Sequence, residues 1–272
     1  MPTISTRPWY KDWFNSPFYH KLYFERDEEE AKKFIHKLIA FLQPKPGSRM
    51  LDAACGRGRH SRILANMGFD VTGFDLSFDS INYAQQFERE NLQFYQHDMR
   101  SLFRTNYYDF VFNFFTSFGY FATRREHDDA MRCFAAALKP GGFFVIDYLN
   151  VHYAEDHLLH HEIKNVGGTS YEINRWDDEM HFYKRIIISD VSLLTPEEHT
   201  EKVVKFSLGD FNDMLAFQNM QVVEVFGDYN LVPYDVKKTP RMIIVAKKNE
   251  GDQSTGQEKR LYSDGRKTDA LT

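Results

Sequence analysis

The stretch that most constrains the fold is residues 50–77, MLDAACGRGRHSRILANMGFDVTGFDLS. An apolar run there ends in Asp52 and is followed by a turn that contains Gly56 and Gly58. A segment with helical spacing comes next, and a second apolar run ends in Asp75. Two strands joined by a helix form a βαβ unit, whose strands lie parallel in one sheet. The stretch therefore predicts an α/β protein that binds a nucleotide-like ligand where these strands end.

The same alternation of strand and helix patterns continues to about residue 150. Further strands are predicted in LQFYQHDMR, YYDFVFN and FFVIDYLN, and further helices in FDSINYAQQFERE and TRREHDDAMRCFAAALKPGG. Short alternating runs follow over 161–206, which is typical of an antiparallel meander, and a last helix and two strands end at 248. We therefore predict a doubly wound, seven-stranded, mostly parallel sheet with an antiparallel β insertion after strand five.

This pattern divides the chain into five predicted segments. They are an N-terminal aromatic and helical lid (1–46), a ligand-binding core (47–150), the antiparallel insertion (151–207), the closing helix and strands of the core (208–248) and a polar tail (249–272). The tail has few apolar residues to bury, so we expect it to be disordered.

Composition disfavours several classes of function. The net charge of −5 argues against a protein that binds nucleic acid through phosphates. The two cysteines, Cys55 and Cys133, form neither a disulfide framework nor a metal-binding spacing, so we expect no metal. No apolar run approaches the roughly 18 residues that a membrane span needs. We expect a cytoplasmic protein that does not associate with membranes.

The turn after the first strand narrows the class of ligand. It lacks the Gly-Lys-Ser/Thr ending of a triphosphate-binding loop. A dinucleotide-binding turn normally has Gly or Ala where this chain has Ser61. The carboxylate of Asp52 would repel a pyrophosphate but would attract an ammonium or a sulfonium group. The turn therefore favours a ligand that carries positive charge.

Acidic and apolar side chains after the second and third strands extend this site. The Asp75 carboxylate can accept hydrogen bonds from both hydroxyls of a ribose. In QHDM after the third strand, Asp98 can accept from the exocyclic amine of adenine, while Leu76 and Met99 can cover the faces of the ring. These residues together predict an adenosine-binding site.

Asp-x-x-x-Gly-x-Gly, an acid after strand two and His-Asp-Met after strand three resemble the class I S-adenosylmethionine-dependent methyltransferases. The resemblance covers residues 50–150, and KPGGFFVID is similar to that family's usual turn into strand five. It implies S-adenosylmethionine as the cofactor and an antiparallel strand seven between strands five and six. It also implies a set of cofactor-binding residues: Asp52, Ala53, Gly56, Gly58, Asp75, Leu76, Asp98, Met99 and Asn113.

The resemblance assigns a role to each acidic residue, and plainer interpretations stay open. Asp52 would meet the methionine ammonium, or it caps a strand end. Asp75 would hold the ribose hydroxyls and Asp98 the adenine, although Asp98 could simply start a turn. The arginines of the following segment could reach the ligand carboxylate, but we expect at least two of Arg57, Arg59 and Arg62 to be solvated.

The loop NFFTSFGYF after strand four is where this family places the acceptor. It lacks the Asn-Pro-Pro-Tyr motif of many base-modifying relatives, and Thr-Ser-Phe-Gly is similar to a stretch of bacterial small-molecule N-methyltransferases. We predict Tyr120 and His152 as catalytic residues, with His127 a further candidate base. Beyond strand five, Asp147 would line the acceptor side. The predicted substrate contacts are Phe118, Tyr148 and Arg175.

The N-terminal aromatic residues have two interpretations, a lid over the cofactor or a staple that fixes a helix to a sheet. A ring beside a sulfonium would contribute roughly 0.5–2 kcal/mol of cation–π energy. Both roles can hold together. The residues concerned are Trp9, Tyr10, Trp13, Phe14, Tyr19 and Tyr23.

The resulting hypothesis is an enzyme that methylates nitrogen or oxygen of a small-molecule acceptor, because the arginine clusters are too small to form the basic rim that a polymer substrate would need. The alternatives are an RNA or protein methyltransferase, a non-catalytic S-adenosylmethionine-binding protein and, more remotely, a dehydrogenase. A homodimer formed through the insertion is a further expectation.

Overall fold

The computed structural model describes residues 8–23 and 28–250. The helices of these residues are α1 (Trp9–Trp13), α2 (Pro17–Leu22), α3 (Glu28–Leu42), α4 (Arg59–Asn66), α5 (Phe78–Ala84), α6 (Arg124–Ala137), α7 (Val151–Asp156) and α8 (Leu208–Phe217). The strands are β1 (Arg49–Ala53), β2 (Asp70–Asp75), β3 (Leu92–Gln96), β4 (Tyr108–Asn113), β5 (Leu138–Leu149), β6 (His161–Val166), β7 (Thr169–Asp177), β8 (His181–Ser189), β9 (Glu197–Val204), β10 (Met220–Phe226) and β11 (Arg241–Lys248).

Seven strands form the main sheet, in the order β10-β11-β5-β4-β1-β2-β3. The five strands from β5 to β3 in this order are parallel, whereas β11 runs antiparallel to both β5 and β10. This confirms the predicted doubly wound sheet, including the antiparallel strand between the fifth and the sixth. The strand order changes direction at β1: β2 and β3 lie on one side of it, and β4 and β5 lie on the other. Sheets of this kind bind ligands in the crevice at such a switch point.

Helices cover both faces of the main sheet. Alternate residues of β11 enter different cores: Ile244 packs in a core with α6 and α8, and Ile243 packs in a core with α3, α4 and α5. Because both faces are buried, the strands are almost continuously apolar, as in the MIIVA stretch of β11. The helix α6 begins at a capping box, in which Thr123 and Glu126 satisfy each other's backbone donors.

The predicted insertion is a separate antiparallel sheet in the order β6-β7-β8-β9. The N-terminal helices α1 and α2 pack on it, and the fully buried Trp13 lies against Tyr171, Ile173 and Ile186. The predicted staple joined an N-terminal helix to the main sheet, whereas Trp13 packs on the insertion sheet.

Some predictions reach beyond the described residues. The expected disorder of the tail concerns residues 249–272, of which the structure describes only 249 and 250. The five-segment division of the chain stays a prediction. Over residues 8–23 and 28–250, no helix is long and apolar enough to cross a membrane, and no group of His, Cys, Asp and Glu side chains is arranged to hold a metal ion.

Candidate functional site

A cavity of about 340 Å³ opens at the carboxyl ends of β1, β2, β3 and β4. Small-molecule sites fall in a range of about 300–1,000 Å³, and doubly wound sheets bind ligands at this edge. Seven of the predicted site residues line the cavity: Asp52, Gly56, Asp75, Leu76, Asp98, Met99 and Tyr120. The strand ends therefore bring together residues that are up to 68 positions apart in sequence, from Asp52 to Tyr120.

The turn after β1 is built on left-handed backbone. Gly56 and Gly58 have φ values of +55° and +77°, which cost glycine little. A Cβ on Gly58 would lie 2.5 Å from the Phe94 ring, whereas a Cβ on Gly56 would meet nothing within 4 Å. Gly58 is thus required for packing of the turn on β3, while Gly56 leaves open space beside the cavity.

Asp52 lies at the end of β1 with only 1% of its surface exposed. One carboxylate oxygen accepts a hydrogen bond of 2.5 Å from the Ser61 hydroxyl. Burial raises the pKa of Asp52 from 3.8 to about 7, although the bond from Ser61 opposes this rise and the Asp75 carboxylate adds to it. A cationic group in the cavity would favour the ionised form of Asp52. Ser61, which distinguished this turn from a dinucleotide site, is the residue that orients it.

Asp75 is held by the backbone on both of its oxygens. The Gly56 and Ser77 amides donate hydrogen bonds of 2.8 Å, one to each oxygen. Burial raises the pKa of the Asp75 carboxyl, and the two amide bonds oppose the rise. Each carboxylate oxygen can accept more than one hydrogen bond. Asp75 is therefore preoriented and still able to accept bonds from a pair of hydroxyls.

Asp98 also lines the cavity, but Arg100 uses part of the hydrogen-bonding capacity of its carboxylate. The Arg100 guanidinium donates to both Asp98 oxygens, at 3.0 and 2.6 Å. Burial alone would raise the pKa of Asp98, and the hydrogen bonds and charge of Arg100 bring it below its usual value. Asp98 is accordingly a fixed anion. Leu76 and Met99 line the cavity beside it, as expected for side chains that cover a ring.

The loop after β4 carries Tyr120 into the cavity. The Trp9 and Phe14 rings contact Tyr120 at centroid distances of 5.3 and 5.5 Å. Tyr10, Phe14, Tyr19 and Tyr23 of the N-terminal segment line the same cavity. The aromatic segment therefore covers the cavity while Trp13 fixes it to the insertion sheet. The interpretation of these rings as a lid over the cofactor stays a prediction.

The same loop contains two consecutive left-handed residues, Phe115 and Thr116, with φ values of +60° and +53°. The Asp147 carboxylate accepts from the Phe115 amide at 2.9 Å and from the Arg241 Nε at 2.8 Å. Arg241 also donates to the Thr116 hydroxyl at 2.9 Å, and the Tyr229 hydroxyl donates to Asp147 at 3.1 Å. Asp147 is fully buried, so it supports the loop from beneath and does not line the acceptor side as predicted.

Several predicted residues do not reach the cavity because they are buried elsewhere. Ala53 and Gly58 lie beneath the turn, and the Asn113 amide donates to the Ala53 carbonyl at 3.0 Å. Phe118 is fully buried in the core, and the hydroxyl of the fully buried Tyr148 donates to the Val204 carbonyl. Alternation along the chain could not tell which of these side chains would face the ligand.

The remaining predicted residues lie away from the cavity. His152 is more than half exposed on α7, where it pairs with Glu155 at 3.5 Å. Arg175 donates to the Leu159 carbonyl at 3.2 Å and pairs with Glu162 in the insertion sheet. Burial lowers the pKa of His127 to about 4, and this ring packs in the core and not against the cavity.

Further charged side chains line the cavity beside the three aspartates. Arg57, Arg59 and Arg62 all line it, so the expectation that at least two are simply solvated is not supported. The Arg57 guanidinium lies 4.7 Å from the Tyr83 ring, and its Nε is buried without an acceptor among the described residues. Such a donor fits an anionic group of a ligand. Glu201, from β9 of the insertion, lines the cavity as well.

A family model described as a methyltransferase domain matches residues 23–223. The chain belongs to this methyltransferase family. The prediction of an enzyme of the S-adenosylmethionine-dependent methyltransferase class is confirmed, with S-adenosylmethionine as the cofactor of that class. The roles of individual residues in this methyltransferase stay predictions.

Named relatives of the methyltransferase include the dTDP-3-amino-3,4,6-trideoxy-alpha-D-glucopyranose N,N-dimethyltransferase of Streptomyces venezuelae. It is 30% identical over 131 residues, which are 47% of this chain and 54% of that protein. The chain covers 54% of this relative and 46% of a putative methyltransferase of Bacillus subtilis, which is about half the length of each. This likeness is concentrated in part of the chain and does not establish a substrate.

Solved structures share the fold of the methyltransferase over most of its length. An S-adenosylmethionine-dependent methyltransferase from Clostridium acetobutylicum superposes with a TM-score of 0.71 at 17% identity, covering 85% of this chain and 96% of that one. An amino pentose methyltransferase from Micromonospora echinaspora, solved with S-adenosylmethionine bound, gives 0.63 at 19% identity, covering 86% and 98%. These likenesses show the fold alone.

Proposed function

We propose that this methyltransferase transfers the methyl group of S-adenosylmethionine to an amine of a small molecule. The observation that carries the proposal is the cavity itself, in which Asp52, Asp75 and Asp98 from three strand ends share one space with Tyr120. The residues fit the cofactor. Asp75 offers a preoriented carboxylate for the ribose hydroxyls, Asp52 a buried carboxyl group for the ammonium, and Arg57 a buried donor for the carboxylate.

Bound S-adenosylmethionine supplies an electrophilic methyl group on a sulfonium, which leaves as a neutral thioether. The protein then has to hold the acceptor in line with the methyl–sulfur bond and to exclude water. Tyr120 and the N-terminal rings that cover the cavity are the side chains that we assign to this task. A neutral amine needs no general base before it attacks, whereas a phenol or an alcohol would.

Two observations support a small amine over a polymer as the acceptor. Aromatic rings and Glu201 of the insertion strand β9 line the cavity, which has a volume of about 340 Å³, in the range typical of small-molecule sites. The Streptomyces venezuelae relative is named for N,N-dimethylation of an amino sugar, and the Micromonospora echinaspora protein is an amino pentose methyltransferase. RNA and protein acceptors remain the alternative, and the net charge of −5 disfavours the former.

The test is methyl transfer from labelled S-adenosylmethionine to a panel of amino sugars, aliphatic amines, phenols, total RNA and unfolded protein. We expect labelled N-methyl product from one or more small amines, together with an equal amount of S-adenosylhomocysteine. Label in RNA or protein alone would contradict the proposed acceptor class. Failure of the protein to bind S-adenosylhomocysteine would contradict the proposal as a whole.

A further inference from the structure

Glu201 is a carboxylate that the insertion sheet delivers into the cavity. Its side chain is only 15% exposed. The Trp13 indole donates a hydrogen bond of 2.7 Å to Oε1, and the Tyr23 hydroxyl lies 3.3 Å from the same oxygen. Lys184 lies 3.4 Å from Oε1 and 3.5 Å from Oε2. Among the described residues, Oε1 therefore has three hydrogen-bonding partners, whereas Oε2 has only the Lys184 ammonium at 3.5 Å.

The strand that carries Glu201 is joined to the loop that carries Tyr120. The Val204 amide, at the end of β9, donates to the Gly119 carbonyl at 2.9 Å. The Tyr148 hydroxyl donates to the carbonyl of the same Val204. Glu201 and Tyr120 therefore line one cavity from two connected elements, whereas the carboxylates assigned to the cofactor come from the ends of β1, β2 and β3.

The Lys184 ammonium determines what Glu201 can bind. A carboxylate alone would stabilise an ammonium group, which has no lone pair to attack a methyl group. The ion pair with Lys184 compensates the carboxylate charge and leaves a hydrogen-bond acceptor at Oε2. Such an acceptor suits the N–H of a neutral amine, whose lone pair stays available. The rings of Phe14, Tyr19 and Tyr23 in the same cavity suit the carbon skeleton around that nitrogen.

We propose that Glu201 is the residue that binds the acceptor amine, with Oε2 accepting the N–H of a primary or secondary amine. This inference rests on the proposed function. In the transfer, the amine lone pair forms the bond to the methyl carbon, and the electrons of the methyl–sulfur bond go to sulfur. The product ammonium loses its extra proton to solvent. Because Glu201 needs an N–H, the enzyme methylates primary and secondary amines and stops at the tertiary amine.

The test compares Glu201→Gln with Glu198→Gln on the same strand. Glu198 is half exposed and pairs with Arg185 at 2.7 Å, so its variant should behave as the wild type. For Glu201→Gln we expect the KM for the amine acceptor to rise by roughly tenfold or more, as for loss of a hydrogen bond worth about 1.4 kcal/mol. Affinity for S-adenosylhomocysteine should change by less than about twofold, which corresponds to about 0.4 kcal/mol, because Glu201 is not among the carboxylates assigned to the cofactor.

Each outcome decides between the inference and its alternatives. An unchanged acceptor KM in Glu201→Gln, with wild-type activity intact, would overturn the role of Glu201 and leave the proposed function standing. A purely structural Glu201 would lower the melting temperature and the S-adenosylhomocysteine affinity together, which would also overturn it. If Glu201→Gln does not fold, Glu201→Asp takes its place, and we expect the same rise in KM. Methylation of a tertiary amine by the wild-type enzyme would contradict the need for an N–H.

Discussion

Asp52 is a carboxyl group that changes charge near neutral pH. Its pKa in the folded protein is about 7, against 3.8 for the free group, because burial penalises the carboxylate. Between these two pH values the folded protein binds more protons at this site than the unfolded chain. The stability that Asp52 contributes is therefore present below its unfolded pKa and lost as the pH rises through about 7.

We predict that Asp52→Asn weakens this pH dependence. The free energy of unfolding of the wild-type protein should fall relative to that of the variant between about pH 4 and pH 7, because only the wild type must bury a charge as its carboxyl group ionises. Urea denaturation of both proteins at four pH values measures the difference. Parallel curves for the two proteins would show that Asp52 does not titrate in this range.

Residues at strand ends were predictable, and residues on neighbouring segments were not. Asp52, Asp75 and Asp98 each follow an apolar run, and parallel strands end at one edge of a sheet. Glu201 lies in EKVVKFS, where it resembles any exposed residue of an edge strand, and only tertiary packing carries it into the cavity. The burial of Phe118 could not be predicted either, because the aromatic residues of this loop follow no helical or strand period that would indicate which of them are buried.

At the scale of elements, the loop after β4 is held in an unfavourable backbone conformation. Non-glycine residues in the left-handed region cost about 1–3 kcal/mol each where the surroundings enforce them. Phe115 and Thr116 are both in this region, and Asp147 and Arg241 bond to them from beneath. The buried ion pair thus fixes the direction in which the loop presents Tyr120.

We predict that Asp147→Asn destabilises the protein by about 3–5 kcal/mol, since removal of one partner of a buried pair leaves the other charge uncompensated. Asp128→Asn is the matched control, because Asp128 and Arg124 are both about half exposed on α6 and such pairs contribute at most about 1 kcal/mol. Denaturant unfolding of the three proteins measures both effects. Equal stability of the two variants would contradict a supporting role for Asp147.

Long elements were predictable from pattern, and short ones were not. The helix α6 extends over 14 residues with an apolar face and a capping box, so its period and its start are visible in the sequence. The helices α1 and α2 have only five and six residues, too few to show a helical period. Their positions depend instead on Trp13, whose side chain packs against strands about 160 residues later in the chain.

At the scale of the whole molecule, the N-terminal segment links the insertion sheet to the cavity. Trp13 is buried against β7 and β8 and donates to Glu201, while Phe14, the next residue, lines the cavity and contacts Tyr120. The alternation of strands and helices predicted the main sheet, and the resemblance placed the antiparallel strand seven between strands five and six. The contact between the first helix and the insertion could not be predicted, because it joins distant segments with no pattern in common. A homodimer through the insertion stays a prediction.

The central assignment is that the cavity at the strand ends binds S-adenosylmethionine through Asp75. Calorimetric titration with S-adenosylhomocysteine tests it directly on the wild type, on Asp75→Asn and on Asp70→Asn. Asp70 begins the same strand, is half exposed and forms only a 3.8 Å pair with Arg49 among its ion pairs in the described residues, so it is the control. We predict binding to the wild type and to Asp70→Asn with the same affinity. For Asp75→Asn we expect a loss of roughly tenfold or more, since hydrogen bonds to a charged group contribute about 1.5–3 kcal/mol. Equal affinity in all three proteins would contradict the assignment.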